Sequence, residues 1–467
     1  MFYILIYALL AGILIMLMVM SYNLPALMKK YSAEDSEKLE AKCHTAQNCI
    51  YAGIVLVIVA AIACTYLAVK GTPWEAHLME WLNIIVRVMH ITFGIAWIGA
   101  SFYFVFLENA LNRTENVRDE LAGNLWAVHG GGFYYLEKYK TAPAVIPKHL
   151  HWFKYEAYFT WLSGFCLLFV VYYFNASAFL IDKNILDISS SQGIAIGISS
   201  FIAAWILYDL LCKTLLKKSK LLFAVTGIII LVGFAFFYSH VFNSRAAYIH
   251  FGAMIGSIMV GNVFFVIIPS QKAMVKAAKD GLPLNPQLGK NALARSLHNN
   301  YFTLPVLFVM VSNHFPSTFG YKYPWLILAI ISLGAAGVKH YLNLREKKRQ
   351  AVWVMPVSVI ILLAACFISA PPKNPGECKG PVSFTEVNAI IQNRCVACHS
   401  AKPTDDFYKT APNGVMYDTP DGILKKKDLI MQRVVVTRTM PQNNKTNMTQ
   451  IERDLIRCWI EQGASLK

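Results

Sequence analysis

Ten apolar segments frame this chain: residues 2–20, 50–69, 81–106, 154–174, 193–212, 221–242, 246–268, 301–314, 324–341 and 352–370. A helix rises ~1.5 Å per residue, so a run of ~20 residues crosses ~30 Å of hydrocarbon. Lipid offers no partners for backbone N–H and C=O groups, and a helix satisfies its own. The expected fold is therefore all-α: a polytopic transmembrane helix bundle of about ten spans. Segment 301–314 is short, and Pro305 interrupts its start. Residues 1–20 are apolar throughout and carry no small-residue cleavage pattern, so the first span is expected to be retained.

The net charge is +16. Nucleic-acid binding explains this poorly, because the basic residues follow the expected loops. With the N-terminus outside and the spans alternating, twenty-two Lys and Arg residues fall in cytoplasmic loops. Only Lys70, Lys183, Arg245 and Lys322 fall in the opposite ones. That asymmetry is the positive-inside pattern, and it places the C-terminus outside as well. The organisation expected is an N-terminal helix pair (1–70), a main membrane domain (71–370), a Pro-rich linker (371–375) and a soluble tail (376–467).

The tail contains Cys395-Val396-Ala397-Cys398-His399. Two cysteines two residues apart, followed at once by histidine, match a c-type haem attachment site: each thiol adds to one vinyl group and the imidazole ligates iron. A zinc half-site is the plainer alternative, but no second Cys/His pair with zinc spacing follows. Such a haem is attached on the outer side of the cytoplasmic membrane, which agrees with the charge asymmetry. Ser383 with Glu386 and Thr449 with Glu452 form capping-box patterns that predict a helix running into Cys395 and a second helix packing on it. This is the layout of a small cytochrome c domain. The tail has no other histidine, and Met440, 41 residues beyond His399 and followed by Pro441, is the expected sixth ligand. Met431 and Met448 suit core packing better. Cys378 and Cys458 are a disulfide or two free buried thiols.

A single anchored cytochrome needs one helix, so the bundle is expected to have a task of its own. On segment 81–106 and its extension, Arg87, His90, Gly94, Trp97, Ser101 and Glu108 fall within about an 80° arc. That face is either a small-residue packing stripe or a functional surface. The outer histidines His90 and His250 suit bis-histidine ligation of a b-type haem. The cytoplasmic segment from Trp126 to Tyr139 holds His129, Gly130, Gly131 and Gly132 among aromatic residues. No strand is expected before the glycines, so a dinucleotide fingerprint is not supported. The segment suits a flat polar ligand, or an amphipathic interfacial helix with an aromatic belt. His149, His151, Trp152 and Lys154 follow, and Ser296 to Tyr301 add imidazole and amide groups on the same side.

Several long stretches resemble one family. They include WLNIIVRVMHITFGIAWIGASFYF (81–104), WAVHGGGFYYLEKY (126–139), HLHWFKYEAYFTWLSGF (149–165), AAYIHFGAMIGSIMVGNVFFVIIPSQ (246–271) and RSLHNNYFTLPVLFVMVSNH (295–314). The family is that of the membrane-bound, cytochrome-c-linked urate oxidases, or urate hydroxylases. The resemblance implies oxidation of urate to 5-hydroxyisourate, with electrons leaving through the attached haem to a respiratory acceptor such as a terminal oxidase or soluble cytochrome. It implies a bacterial inner-membrane protein with the cytochrome on the periplasmic side. Residues 1–70, with Cys43, His44 and Cys49, depart from the family pattern.

Residue type and position then suggest roles. Urate is a planar monoanion, so Trp126, Tyr134 and Trp152 are candidates to stack on it and Lys154 to hold its charge. Asn299 and Asn300 are candidates to read the ring edges, and His129, His151 or His298 to act as base. A membrane electron conduit without urate chemistry, and a transporter with a fused redox domain, are the competing readings. A cytoplasmic site and an outer haem would be separated by ~30 Å of hydrocarbon. That gap demands a second redox centre or a substrate site nearer the outer face.

Overall fold

The structure is a computed structural model that describes residues 2–31, 36–370, 377–378 and 380–466. The expected linker at 371–375 lies outside the described residues. The chain divides into two units, residues 1–82 and 83–467. In the first, helices α1 (Phe2–Tyr31) and α2 (Ser36–Val69) pack together, with Gly53 against the Leu17 side chain. Helix α3 (Pro73–Ala110) begins in this unit and continues into the second.

The second unit holds the rest of the membrane-type helices and the tail. A hairpin of β1 (Leu121–His129) and β2 (Gly132–Tyr139) follows α3. Next come α4 (Tyr155–Leu168), which continues as a π-helical turn at Phe169–Tyr173, and short α5 (Ala176–Phe179). Helices α6 (Ser190–Lys218), α7 (Lys220–Ser239) and α8 (Ser244–Gly261) succeed them; α8 runs through a second π turn, Asn262–Ile267, into α9 (Ile268–Lys279). The bundle closes with α10 (Pro286–Ser312), short α11 (Pro316–Phe319), α12 (Pro324–Glu346) and α13 (Val354–Ile368). Its main core gathers where α6, α7, α8 and α10 meet, around Tyr238, Phe242, Tyr248, Phe251 and Met254.

Eight helical stretches among the described residues are long and apolar enough to cross a membrane. The other two expected spans correspond to α10 and α13. The first half of α10 carries Lys290, Arg295, His298, Asn299 and Asn300, which dilutes its apolar character, and α13 has only 15 residues.

The all-α expectation is corrected at the hairpin. Trp126 and Val128 on β1 share a face with Tyr135 and Phe133 on β2, the alternation that strands impose. Gly130 and Gly131 adopt φ of +56° and +79° in the two-residue turn between them, a conformation glycine enters without steric cost. The glycine triplet therefore does follow a strand, and the segment is neither an interfacial helix nor the opening of a dinucleotide-binding unit, since no helix begins at the glycines.

The tail contains α14 (Phe384–Arg394), α15 (Pro420–Lys425), α16 (Lys427–Ile430), a π turn at Met431–Val436 and α17 (Gln450–Glu461). Both capping boxes form: the Ser383 hydroxyl accepts from Glu386 N–H and the Thr449 hydroxyl from Glu452 N–H, with each glutamate reaching back to the cap. Helices α14 and α17 enclose a core of Val387, Ile391, Ile423, Ile456 and Trp459. Cys378 and Cys458 form a disulfide with a Cα–Cα separation of 5.6 Å, which settles the pair left open by sequence.

Candidate functional site

In the tail, the stretch Cys395–His399 occupies one turn at the end of α14. The N–H groups of Cys398 and His399 both donate to the Cys395 carbonyl, at 3.2 and 2.9 Å. Both thiols are free. His399 Nδ1 lies 3.0 Å from the Val415 carbonyl. A carbonyl only accepts, so Nδ1 holds the proton and Nε2 carries the lone pair. Met440 lies at the edge of the tail core; its N–H donates to Arg433 O, and its carbonyl accepts from Arg453 Nη1 at 2.7 Å. Met448 is buried in that core, as its sequence position suggests. Among the described residues no three or more His, Cys, Asp or Glu side chains converge as a metal cluster.

The tail is docked on one end of the bundle. Asn443 Nδ2 donates to the carbonyls of Ala178 (3.1 Å) and Ile181 (2.9 Å), and Gln442 Nε2 donates to Ala178 O (2.6 Å). Phe407 meets Phe179 edge to face, ring centroids 5.5 Å apart.

Under that end lies a polar group contributed by α3, the π turn after α4, the start of α8 and the end of α10. Arg245, near the start of α8, donates from Nε to Asn313 Oδ1 at 3.1 Å, and its guanidinium carbon lies 5.9 Å from the Tyr172 ring centroid. Tyr172, contributed by the first π turn, is 3% exposed and places its hydroxyl 3.4 Å from the same Asn313 oxygen. Arg87 on α3 bonds Asn83 Oδ1 at 3.1 Å and acts electrostatically on Tyr172, as Arg245 does. One turn along α3, His90 Nδ1 lies 3.0 Å from Thr160 O and 3.3 Å from Ser163 Oγ. The polar face of α3 thus turns toward α4 and α10: Gly94 faces Thr160 and Met310, and Ser101 accepts from Asn300. Glu108 at its end pairs with Arg113 and Lys138 of the hairpin region.

His250 is fully buried. Its Nδ1 lies 2.8 Å from Ala246 O and its Nε2 3.1 Å from the Tyr173 hydroxyl, with Phe242 packed 4.5 Å away.

A second polar network crosses the bundle between α6, α8 and α10. Arg295 Nη2 reaches Asp209 Oδ1 at 2.5 Å, and its Nη1 reaches Asn262 Oδ1 at 3.1 Å. Asn262, from the second π turn, donates to Tyr208 and to Asn299; Tyr208 in turn meets His298 Nδ1 at 2.7 Å. His298 stacks on Phe223 at 4.8 Å. Asn299 Nδ2 is used by Met259 O, and Asn300 bonds both Ser101 and Asn343. The amides expected to read a ring edge are thus joined to neighbouring helices. Tyr208, Asp209 and Asn262 were not singled out from sequence, although polar groups inside an apolar run are a signal.

The remaining sequence candidates lie elsewhere. His129, Trp126 and Tyr134 are exposed on the hairpin, where Trp126 packs on Tyr135 at 4.7 Å. His151 is exposed and touches Phe153, Trp152 packs near Ala157 and Val263, and Lys154 covers the Tyr155 ring at 4.8 Å. No hydrogen bond, ion pair or ring contact joins these residues to His298, Asn299 or Asn300 among the described residues.

Comparison with curated proteins and with solved structures finds no match. Comparison with protein families matches residues 76–370, from α3 through α13, to the Urate oxidase N-terminal family. That range includes both polar networks of the bundle, and the chain belongs to this urate oxidase family.

Proposed function

We propose that this protein oxidises urate to 5-hydroxyisourate at the bundle and sends the electrons out through a c-type haem in the tail. The observation that carries the reading is the docking of the Cys395–His399 domain directly on a domain of the urate oxidase family. In balance, the urate monoanion and one water give 5-hydroxyisourate, one proton and two electrons. The monoanion first loses two electrons and a proton, and water then adds to the resulting electrophilic carbon.

The residues of the tail fit their part. Cys395 and Cys398 are free thiols on one turn, His399 presents Nε2 because Val415 engages Nδ1, and Met440 supplies a thioether. A haem bound there would take electrons singly and hand them to a respiratory acceptor, with His/Met ligation raising its potential. The chain's own contribution is to fix the imidazole tautomer through Val415 and to hold the tail against the bundle through Asn443 and Gln442. The b-type haem expected between His90 and His250 suits these residues less well. Both nitrogens of His250 are engaged by protein groups, so no lone pair is left for iron in this arrangement.

The proposed setting is a bacterial cytoplasmic membrane with the tail on the periplasmic side, in keeping with the charge asymmetry of the loops. The direct test is optical. Urate added anaerobically to the purified, oxidised full-length protein should bring up the reduced haem c band. Haem that stays ferric with urate, but reduces with ascorbate, would overturn the reading. A pyridine haemochrome spectrum of the same sample reports whether b-type haem accompanies the c-type.

A further inference from the structure

The geometry points to an anion clamp formed by Arg87 and Arg245 beneath the docked tail, and we infer that it holds the urate monoanion. This rests on the reading above and adds the location of the substrate. It moves the site from the hairpin end of the bundle to the tail end. Lys154 and Tyr172 lie at opposite ends of the α4 stretch, 18 residues apart, which is ~27 Å of helix.

Three observations carry the assignment. First, the two guanidiniums have no carboxylate partner: neither Arg87 nor Arg245 forms an ion pair among the described residues, and their polar contacts are the neutral Asn83, Asn313 and Tyr172. Arg245 acts on Arg87 as a like charge. Two half-buried like charges without a carboxylate partner destabilise the site until an anion joins them. Arg245 is also the second residue of α8, where the helix dipole disfavours a cation and adds to the pull on an anion.

Second, the tail adds a further cation whose charge bears on Arg245. Arg433, in the π turn that precedes Met440, is within electrostatic reach of Arg245. The buried arginine of the second polar network differs: Arg295 is neutralised by Asp209.

Third, the clamp is adjacent to the proposed electron outlet. Phe407 of the tail meets Phe179, ring centroids 5.5 Å apart, and the Phe179 ring lies 5.8 Å from the Arg245 guanidinium carbon. An anion held at Arg245 is thus joined to the docked tail through Phe179 and Phe407. The ~30 Å crossing that a hairpin-end site would require disappears. Planar guanidiniums suit a planar, delocalised anion, since they offer paired donors in one plane and a flat face for stacking.

The test separates binding from turnover in the full-length protein. Equilibrium binding of radiolabelled urate is measured anaerobically for the parent, Arg87→Gln and Arg245→Gln, alongside haem reduction by urate and by ascorbate. The clamp predicts at least tenfold weaker urate binding in each variant, with ascorbate reduction at the parent rate. Variants that bind urate within twofold of the parent overturn the clamp while leaving urate oxidation intact. A parent that binds urate through the clamp but keeps its haem ferric supports the site and removes the electron-transfer reading. A parent that binds no urate removes both. Should a variant fail to fold, competition on the parent decides: an anionic purine analogue should displace urate and a neutral trimethylated xanthine should not, and equal displacement by both would overturn the clamp.

Discussion

A Cβ placed on Gly320 would collide with the carbonyl oxygen of Thr437. Gly320 ends the short α11 turn of the bundle, and Thr437 follows the tail's π turn, three residues before Met440. The two backbones approach this closely only because one residue has no side chain. With the Asn443 and Gln442 bonds to the Ala178 and Ile181 carbonyls, this contact sets how the tail meets the bundle.

Gly320→Ala should therefore loosen the docking without unfolding either part. The added methyl meets backbone atoms, the Thr437 and Pro316 carbonyl oxygens, which cannot rotate away as a side chain does. Haem reduction by urate should slow by about tenfold or more, because electron transfer depends steeply on separation, while reduction by ascorbate should not change. Stopped-flow absorbance at the haem band checks both rates. Equal urate-driven rates in parent and variant would show that the contact has no part in the transfer.

Asp209→Asn addresses the second polar network. Its carboxylate faces the Arg295 guanidinium at 2.5 Å with both side chains nearly inaccessible, and Lys213 reaches it from outside. Removing one partner of a buried pair leaves an uncompensated charge, at a cost of about 3–5 kcal/mol. Lys213→Ala, which removes only the exposed member, should cost less than about 1 kcal/mol. Thermal unfolding of the detergent-solubilised protein should separate the two variants clearly. Similar midpoints would mean that Arg295 finds another partner.

The parts of this architecture that were legible in the sequence are the local ones. Ser383 and Glu386, or Thr449 and Glu452, decide a helix start within four residues, and the structure forms both caps. The Cys395–His399 spacing is equally local. The hairpin was misjudged because aromatic residues around a glycine triplet fit an interfacial helix as well as a turn; the φ values of Gly130 and Gly131 settle the matter only in three dimensions. Arg245 was legible as a residue and not as a site. In sequence it is one of four basic residues in the outer loops, whereas its meaning comes from Asn313, 68 positions away, and from Tyr172. Asn299 and Asn300 show the converse: their type suggested ligand recognition, and interhelix bonds occupy them.

The tail's acid stability should depend on Asp405. Burial opposes ionisation of this carboxyl, but the Lys445 ammonium at 2.5 Å and the N–H groups of Phe407 and Tyr408 outweigh it and hold the group at about 2, below its ordinary value. A carboxyl lowered on folding stabilises the fold above its unfolded pKa, and this contribution is lost as pH falls through the folded value. Asp405→Asn should lower the stability of the tail by on the order of 1–2 kcal/mol from about pH 5 upward, a figure reduced by the exposure of Lys445. The gap between parent and variant should close as pH falls from about 4 toward 2. Guanidinium melts of the full-length protein followed at the haem band provide the check, and a gap that widens in acid would contradict the sign.

Met440→Ala tests the proposed ligand set of the tail. The Met440 backbone is anchored on both sides, by Arg433 O and by Arg453 Nη1, so losing the side chain leaves the loop in place. The thioether bonds at Cys395 and Cys398 should still retain the haem, so total haem per protein should not change. Loss of the thioether sulfur removes the ligand that raises the potential, so the variant's midpoint should fall and its sulfur-to-iron charge-transfer band should vanish. Urate-driven reduction should weaken with it, since the same donor now faces a poorer acceptor. Met448→Leu, a change within the tail core, should leave band and potential as they are. If Met440→Ala kept the charge-transfer band and Met448→Leu lost it, the sixth ligand would be Met448.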